Sequence, residues 1–122
     1  MRVLVTGGAG FIGSHVVDLL VAGGHKGIVA DNLVTGKREN VNRQADFYQV
    51  DICSGELEDV FKKESPEGVI HLAAQATVPR SVENPLYDAE VNIAGTLNLL
   101  ELMHRYGVRK IVYSSSAAIY GN

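Results

Sequence analysis

Short apolar segments alternate along the chain with longer segments in which apolar residues recur at helical spacing. The apolar segments predict strands at 3–5, 27–30, 46–50, 69–72 and 110–113. Helices are predicted between them, the first ending near 23–24 and the last running over 85–106. Strands that alternate with helices are typical of an α/β fold. The pattern therefore predicts one domain over residues 1–122, built on a doubly wound parallel sheet.

Glycines separate the first predicted strand from the first helix, in the stretch Val-Leu-Val-Thr-Gly-Gly-Ala-Gly-Phe-Ile-Gly-Ser-His at 3–15. Gly7 allows the chain to reverse, Gly10 leaves room for a pyrophosphate, and Gly13 allows the helix to pack close to the strand. Amides at the start of the helix, at the positive end of its dipole, then face the phosphate oxygens. The helix continues with apolar residues at helical spacing: Ile12, Val16, Leu19 and Leu20.

An acidic residue ends the second predicted strand. Asp31 follows Gly13 by 18 residues, a position from which a carboxylate accepts hydrogen bonds from an adenosine ribose. The loop 32–44 carries Lys37, Arg38 and Arg43, which either clamp the 2′-phosphate of NADP or form a solvated basic surface. Because Asp31 would repel that phosphate, the sequence favours NAD.

The ends of the next two strands carry further candidates. Asp51 either contacts an adenine amino group or bonds amides of its own loop. The fourth strand should lie beside the first, at the switch point of the sheet, and small residues at 73–77 would let a ligand approach its backbone there. His71, inside that strand, is interpreted as a core residue rather than a catalyst.

The two later helices have their own signals. Ser54 is predicted to cap a short helix whose inward residues are Leu57, Val60 and Phe61. Asn84 and Pro85 start the last helix, and Gly107 ends it. Within that helix, Gly95 indicates close packing or ligand approach, and Asn92 either positions a cofactor or is exposed. We expect the last helix to bury Ala89, Ile93, Leu97, Leu100 and Met103.

Composition narrows the class of protein. The net charge of −3 gives no reason to expect nucleic acid or an anionic membrane as a partner. Apolar runs are far shorter than the ~20 residues that span a bilayer, and no signal peptide precedes the first strand. Cys53 is the only cysteine, which excludes an internal disulfide and a thiolate metal cluster. No metal site and a cytoplasmic location are predicted.

Three serines, at 114–116, follow the last predicted strand. Their hydroxyls would lie beside the switch point, where ligands bind in such sheets. A Gly-x-Ser-x-Gly nucleophile elbow is missing from the sequence. The serines therefore fit hydrogen bonding to a substrate hydroxyl better than nucleophilic attack.

Six blocks together are far more specific than the glycines alone: TGGAGFIGSH at 6–15, DNL at 31–33, DI at 51–52, HLAA at 71–74, NIAGT at 92–96 and SSSAAIYG at 114–121. In this order, over the whole chain, they resemble the extended short-chain dehydrogenase/reductase family. Within that family the resemblance is closest to the nucleotide-sugar 4-epimerases of the UDP-glucose type. It implies NAD as cofactor, a UDP-hexose as substrate and a homodimer.

The resemblance also implies residue roles. Ser116 would hydrogen-bond the reacting sugar hydroxyl as the catalytic serine, with Thr77 and Ser115 as further substrate contacts. The cofactor would be held at its pyrophosphate by Gly7, Gly10, Phe11, Ile12 and Gly13, at its ribose by Asp31 and Asn32, at its adenine by Asp51 and Ile52, and elsewhere by Leu72, Ala73, Ala74, Asn92 and Ser114.

One catalytic element of the family is not found. A Tyr-x-x-x-Lys pair follows the serine in the family, with the lysine charge lowering the pKa of the tyrosine so that it can act as a base. The chain reaches Asn122 before that point, and its textual match, Tyr106 to Lys110, precedes Ser116 and spans a helix end. We therefore expect the chain to be the N-terminal part of a longer enzyme and to be inactive by itself.

Two alanines distinguish the expected activity from other activities of the same family. Its 4,6-dehydratases carry Asp-Glu in place of Ala117 and Ala118, and methyl groups cannot move the protons that elimination requires. An epimerase that moves hydride reversibly at sugar C4 therefore comes first. A reductase that uses NADPH and a non-catalytic NAD-binding module stay open as alternatives.

In the family, the helix at 85–106 contributes to a dimeric four-helix bundle, so apolar helix surface and a sheet edge are expected to be exposed here.

Overall fold

The computed structural model describes residues 1–33, 37–72 and 85–113, and gives only the backbone for 85–92 and 113. Its strands are β1 (Arg2–Thr6), β2 (Lys26–Asp31), β3 (Asp46–Gln49), β4 (Gly68–His71) and β5 (Lys110–Tyr113). The helices are α1 (Phe11–Ala22), α2 (Leu57–Glu64) and α3 (Pro85–Arg105), and a 3₁₀ turn covers Arg38–Asn40. Each predicted strand is confirmed within a few residues of its expected ends.

The described strands form one parallel sheet in the order β3-β2-β1-β4-β5. The chain proceeds from β1 toward one edge and then returns to the other side of β1 with β4. Thr6, at the end of β1, lies between Ala30 of β2 and His71 of β4. The predicted doubly wound sheet is thus confirmed, and its switch point falls between β1 and β4, where ligands bind in this class of sheet.

Side chains alternate between the two faces of the sheet, and each face has its own core. On one face, Val17 of α1 packs with Val5 and Val29. On the other, Phe61 of α2 and Leu99 of α3 pack with a group from the strands. Residues such as Leu4 and Ile28 are fully buried there because helices cover the sheet from both sides.

Helix α1 contacts the sheet through small residues. Its buried positions are Gly13, Ser14 and Val17, while Val16 and Leu20 are half-buried. The apolar pattern at the sequence level also contained Leu19, which is 74% exposed, and Ile12, which is 51% exposed. The helix therefore leaves part of its apolar surface outside the core.

The expected buried face of α3 is wrong for three of its residues. Ile93, Leu97 and Leu100 are exposed, Met103 is buried as expected, and the side chain of Ala89 is outside the described part. Leu99, Leu102 and Met103 enter the core instead, and Gly95 on the same side of the helix lies against Ile52 of the loop after β3. Two apolar stripes fit the sequence of this helix, and the buried one includes a glycine that a hydrophobicity pattern does not count.

The short helix α2 is anchored at its C-terminal end by a buried carboxylate. Glu64, 7% exposed, pairs with the Arg2 guanidinium at 2.6 Å and accepts a hydrogen bond from the Tyr48 hydroxyl. This bond to Glu64, with burial, raises the pKa of Tyr48 to about 12. As expected, Leu57, Val60 and Phe61 point into the core. Ser54 accepts the Glu56 amide at 3.0 Å, so it orders the turn before the helix and is not the helix cap itself.

Candidate functional site

The chain between β1 and α1 turns through a glycine in the left-handed region. Gly7 has φ of +76°, a conformation that disfavours side chains. Its amide donates to the Ala30 carbonyl at 2.9 Å, and the Gly10 amide donates to the Gly7 carbonyl at 3.1 Å. These bonds hold the turn against the ends of β1 and β2.

Helix α1 begins directly after this turn. The Ser14 amide donates to the Gly10 carbonyl at 2.9 Å and so closes the first helical turn. The three amides before it, on Phe11, Ile12 and Gly13, have no acceptor within the helix, as in any first turn. They are concentrated at the positive end of the helix dipole, an arrangement that binds phosphate groups.

Gly13 and Gly10 lack side chains for different reasons. A Cβ at Gly13 would lie 2.1 Å from the carbonyl oxygen of Gly7, so the close approach of α1 to the turn excludes any side chain. Among the described residues, a Cβ at Gly10 would meet only the same oxygen, at 3.4 Å, which is an ordinary contact. The packing of the described residues therefore leaves the position beside Gly10 open.

Asp31 ends β2 and is 7% exposed. One carboxylate oxygen accepts the Ala9 amide at 3.0 Å, and the other accepts the Leu33 amide at 2.7 Å. Each carboxylate oxygen has a further lone pair for a ligand hydroxyl. Asp31 thus braces the glycine-rich turn, a role that the sequence did not reveal, and still offers acceptors to a ribose.

The Ala9 carbonyl is held as firmly as its amide. It accepts the Lys37 amide at 3.0 Å and the Asn40 side-chain amide at 3.2 Å. The guanidinium of Arg38 lies 4.6 Å from the centre of the Phe47 ring, a cation–π contact. The loop after β2 therefore supports the glycine-rich turn from outside, with one of its basic side chains engaged on an aromatic ring.

The loop after β3 carries Asp51 and Ile52 to the same edge of the sheet. Asp51 is exposed and accepts the Cys53 amide at 2.8 Å, so the predicted bond to its own loop exists. Ile52 is 5% exposed, and its side chain fills the space where a Cβ at Gly95 would lie, 2.3 Å from Ile52 Cδ1. Of the two interpretations of Gly95, close packing is confirmed.

Buried polar groups line the crevice between β1 and β4. The Thr6 hydroxyl accepts the Leu72 amide at 2.9 Å and lies 2.7 Å from His71 Nδ1. His71 Nε2 lies 3.1 Å from the Thr96 hydroxyl on α3. His71 is fully buried, and burial lowers its pKa to about 4. It is therefore neutral at physiological pH, and its interpretation as a core residue is confirmed.

The structure brings together part of the predicted site. Asn32, exposed, and Leu72, 9% exposed, join the residues above along the carboxyl edge of the sheet. The side chain of Asn92, on α3, is outside the described part. The remaining predicted residues also lie outside the described residues: Ala73, Ala74, Thr77, Ser114, Ser115 and Ser116.

Sequence reasoning missed one side chain that bears on this edge. Asn98 of α3 donates from its amide nitrogen to the Ile52 carbonyl at 2.7 Å and to the Ser54 carbonyl at 3.2 Å. Its position in a helix interior, where asparagine is a poor helix former, was the available signal. The prediction from the sequence names Asn92, in the same helix, and does not name Asn98.

The textual match to the missing catalytic pair is not a catalytic pair. Tyr106 follows the end of α3, and its hydroxyl donates to Glu58 at 2.8 Å, whereas Lys110 begins β5. Gly107 between them has φ of +71°, so the two residues do not share a helix.

Residues 1–33, 37–72 and 85–113 contain no group of three His, Cys, Asp or Glu side chains placed to hold a metal ion. Across the same ranges, the helices are too short or too polar to cross a membrane.

The parallel sheet, its switch point and the glycine-rich turn at the start of α1 define a Rossmann-like α/β domain. The chain belongs to the NAD dependent epimerase/dehydratase family, whose family model matches residues 3–122.

Known proteins similar to the chain agree with that assignment. A putative UDP-glucose 4-epimerase of Methanocaldococcus jannaschii is 49% identical over 120 residues, which cover 98% of this chain and 39% of that protein. The structure of a Thermotoga maritima UDP-glucose 4-epimerase with UDP-glucose superposes with a TM-score of 0.89 at 55% identity, covering 94% of this chain and 38% of that one.

A further solved structure carries a bound dinucleotide. The Thermus thermophilus UDP-glucose 4-epimerase complex with NAD gives a TM-score of 0.86 at 55% identity, covering 91% of this chain and 36% of that one. The chain thus spans about two fifths of the length of the relatives it matches.

Proposed function

We propose that the chain is the NAD-binding portion of a nucleotide-sugar 4-epimerase of the UDP-glucose/UDP-galactose type. One observation carries the proposal: the turn at 7–13 presents the first-turn amides of α1 beside a position at Gly10 that the packing of the described residues leaves open. This is the geometry that a dinucleotide pyrophosphate requires. The relative from Thermus thermophilus, in complex with NAD, supports the same cofactor.

Residues along the carboxyl edge of the sheet would hold successive parts of NAD. The first-turn amides of α1 would hold the pyrophosphate, Asp31 with Asn32 the adenosine ribose, and Asp51 with Ile52 the adenine. Leu72, Ala73, Ala74, Asn92 and Ser114 would complete the cofactor site. When bound, the dinucleotide supplies a hydride acceptor and donor for the sugar C4 position.

The carboxylate at the end of β2 favours NAD over NADP. The buried Asp31 carboxylate lies where a 2′-phosphate would have to approach, and like charges at close range repel. The Arg38 guanidinium, one of three basic side chains in that loop, lies over the Phe47 ring. A reductase using NADPH is the less well supported alternative.

Substrate contacts are proposed for the serine segment and for Thr77. Ser116 would bond the reacting sugar hydroxyl as the catalytic serine, and Ser115 and Thr77 would contact the UDP-hexose. The Thermotoga maritima relative was solved with UDP-glucose, which supports this class of substrate.

A base is needed to take the proton of the C4 hydroxyl while hydride leaves C4. Within the 122 residues no Tyr-x-x-x-Lys pair follows Ser116, and the Tyr106–Lys110 match is divided between a helix end and a strand. We therefore propose that these 122 residues by themselves do not interconvert UDP-galactose and UDP-glucose. Measurable turnover of either sugar nucleotide by the purified chain would contradict this part of the proposal.

Calorimetric titration with NAD and NADP tests the cofactor assignment. We expect the chain to bind NAD and to prefer it to NADP. Asp31→Ala should weaken NAD binding, because the variant removes an acceptor for the ribose. It should also reduce the preference for NAD over NADP, because the variant removes the repulsion of the 2′-phosphate. The ratio of the two affinities is the informative quantity, since Asp31 also braces Ala9 and its loss loosens the turn for both nucleotides.

Asp18→Ala is the matched control, because Asp18 is an exposed carboxylate on α1 that bonds only Asn42 among the contacts described. It should leave both affinities unchanged. A folded wild-type chain that binds neither nucleotide, or that prefers NADP, would contradict the assignment.

A further inference from the structure

We propose that Asn98 is a positioning residue that sets the preference for adenine by holding the loop at 51–54 in its binding conformation. The inference rests on the proposed function, in which Asp51 and Ile52 receive the adenine end of NAD. Asn98 does not touch the cofactor itself, and its effect passes through the loop.

The side-chain nitrogen of Asn98 donates to two carbonyls of that loop. It donates to the Ile52 carbonyl at 2.7 Å and to the Ser54 carbonyl at 3.2 Å. A side-chain NH₂ has two hydrogens, one for each acceptor. Because the carbonyls are two residues apart and both accept from one nitrogen, these bonds restrict the conformation of the turn between them.

A second contact seats the same loop on the same face of α3. Gly95, one helical turn before Asn98, lies against the Ile52 side chain, which occupies the volume that a Cβ would need. Cys53 Sγ also lies 3.5 Å from that position. The helix thus presents a hollow for an apolar side chain and a donor for the backbone, spaced to fit one loop.

The conformation of this loop determines where the Asp51 carboxylate points. Asp51 accepts the Cys53 amide at 2.8 Å through its side chain and the Ser54 amide at 2.9 Å through its carbonyl. The Val50 amide donates to the Asp31 carbonyl at 3.2 Å, which ties the start of the loop to the end of β2. Releasing the carbonyls of Ile52 and Ser54 would free the Asp51 carboxylate to turn away from an adenine amino group.

The test compares NAD with nicotinamide hypoxanthine dinucleotide, in which a carbonyl oxygen replaces the adenine amino group and ring N1 gains a hydrogen. A fixed Asp51 carboxylate accepts a hydrogen bond from the amino group and is repelled by the oxygen. We expect the wild-type chain to prefer NAD on the order of tenfold, the effect of one hydrogen bond to a charged group. Asn98→Leu should bind NAD more weakly and lose most of this preference.

Three variants separate positioning from general stability. Asn98→Asp keeps the shape but places an acceptor against both carbonyls, so it should behave like Asn98→Leu and serves if the leucine variant does not fold. Asn98→Gln keeps the amide donor and should keep the preference for NAD. Asn42→Leu makes the same substitution at a half-buried asparagine that donates to Asp18 and accepts the Gln44 amide, and it should change neither affinity nor preference.

The possible outcomes are distinct. Wild-type chain that binds neither dinucleotide would overturn the proposed function, and this inference with it. Wild-type chain that binds NAD and the hypoxanthine analogue equally would overturn the inference alone, because the loop would then not read the base. Folded Asn98→Leu that keeps the full preference for NAD would also overturn it, even if its stability is lower.

Discussion

Gly10 and Gly13, three residues apart in one turn, have different physical roles and therefore different expected mutants. Gly13→Ala places a Cβ 2.1 Å from a backbone oxygen that cannot move aside, and should cost more than about 3 kcal/mol of unfolding free energy. Gly10→Ala meets only an ordinary contact among the described residues and should cost about 1 kcal/mol or less.

Both variants should lose NAD binding, Gly10→Ala because its methyl group occupies the open position. Urea unfolding and NAD titration of the two variants give the comparison. A Gly10→Ala chain that is stable and binds NAD as tightly as the wild type would show that this position does not face the cofactor.

His71 makes the stability of the chain depend on pH. Burial lowers its pKa from 6.5 to about 4 in the folded state, so the folded protein binds fewer protons than the unfolded chain between these values. The unfolding free energy therefore carries no penalty from His71 above pH 6.5. It falls as the pH drops toward 4, by about 3 kcal/mol in total.

The measurement is the free energy of unfolding in urea at pH 7.5 and at pH 4.5. His71→Gln should remove this part of the dependence, and the difference between the two proteins isolates His71 from the carboxylates that titrate in the same range. An equal loss of stability in both proteins would show that His71 is protonated in the fold.

The contact between Gly95 of α3 and Ile52 of the β3–α2 loop predicts that Gly95→Ala changes the unfolding free energy in opposite directions with and without the Ile52 side chain. Gly95→Ala should destabilise the chain, because the new Cβ displaces the Ile52 side chain from the core at a cost that exceeds the gain of about 1 kcal/mol in helix propensity. In an Ile52→Ala background the space is empty, and the same substitution should stabilise by about 1 kcal/mol.

A double-mutant cycle of unfolding free energies measures this coupling. If Gly95→Ala has the same effect in both backgrounds, Ile52 does not occupy the volume above Gly95.

The strands and the turn at 7–13 were predictable because their signals are local. Alternating apolar segments specify a parallel α/β order, and the glycine spacing specifies the turn that leads into α1. Gly7 and Gly13 are explained by backbone conformation and by contact within seven residues of chain. The acidic residue at the end of β2 was found in the same way.

The supporting contacts were not predictable, because they join distant parts of the chain. Asn98 bonds a loop 46 residues earlier, and Asn40 bonds Ala9 across 31 residues. The buried face of α3 was mistaken for a related reason, since Ile93, Leu97 and Leu100 form a stripe as apolar as the one that the sheet covers. Periodicity shows that a helix has apolar faces and does not choose between them.

The molecule as a whole presents apolar surface on α3 and at β5. Ile93 and Leu97 are each 62% exposed, and Val112 of β5 is 60% exposed. Such a surface favours association between copies of the chain. We therefore expect sedimentation velocity to show concentration-dependent association, consistent with the homodimer that the resemblance implies.

Leu97→Glu should abolish most of that association while changing the unfolding free energy by less than about 0.5 kcal/mol, because the side chain is outside the core. Leu99→Ala, two residues away and fully buried, is the contrasting variant and should cost about 2–5 kcal/mol. Unchanged association of Leu97→Glu, or a wild-type chain that is monomeric at every concentration, would contradict this expectation.

The account of the whole chain depends on a dinucleotide lying across the carboxyl edge of the sheet. Amide chemical shifts of the ¹⁵N-labelled chain, recorded as NAD is added, report where the cofactor binds. We expect the largest changes at Gly10, Phe11, Ile12 and Gly13, followed by changes around Asp31 and in the loop at 51–54. Shifts that stay unchanged at millimolar NAD, or that change only on other surfaces of the folded chain, would contradict the account.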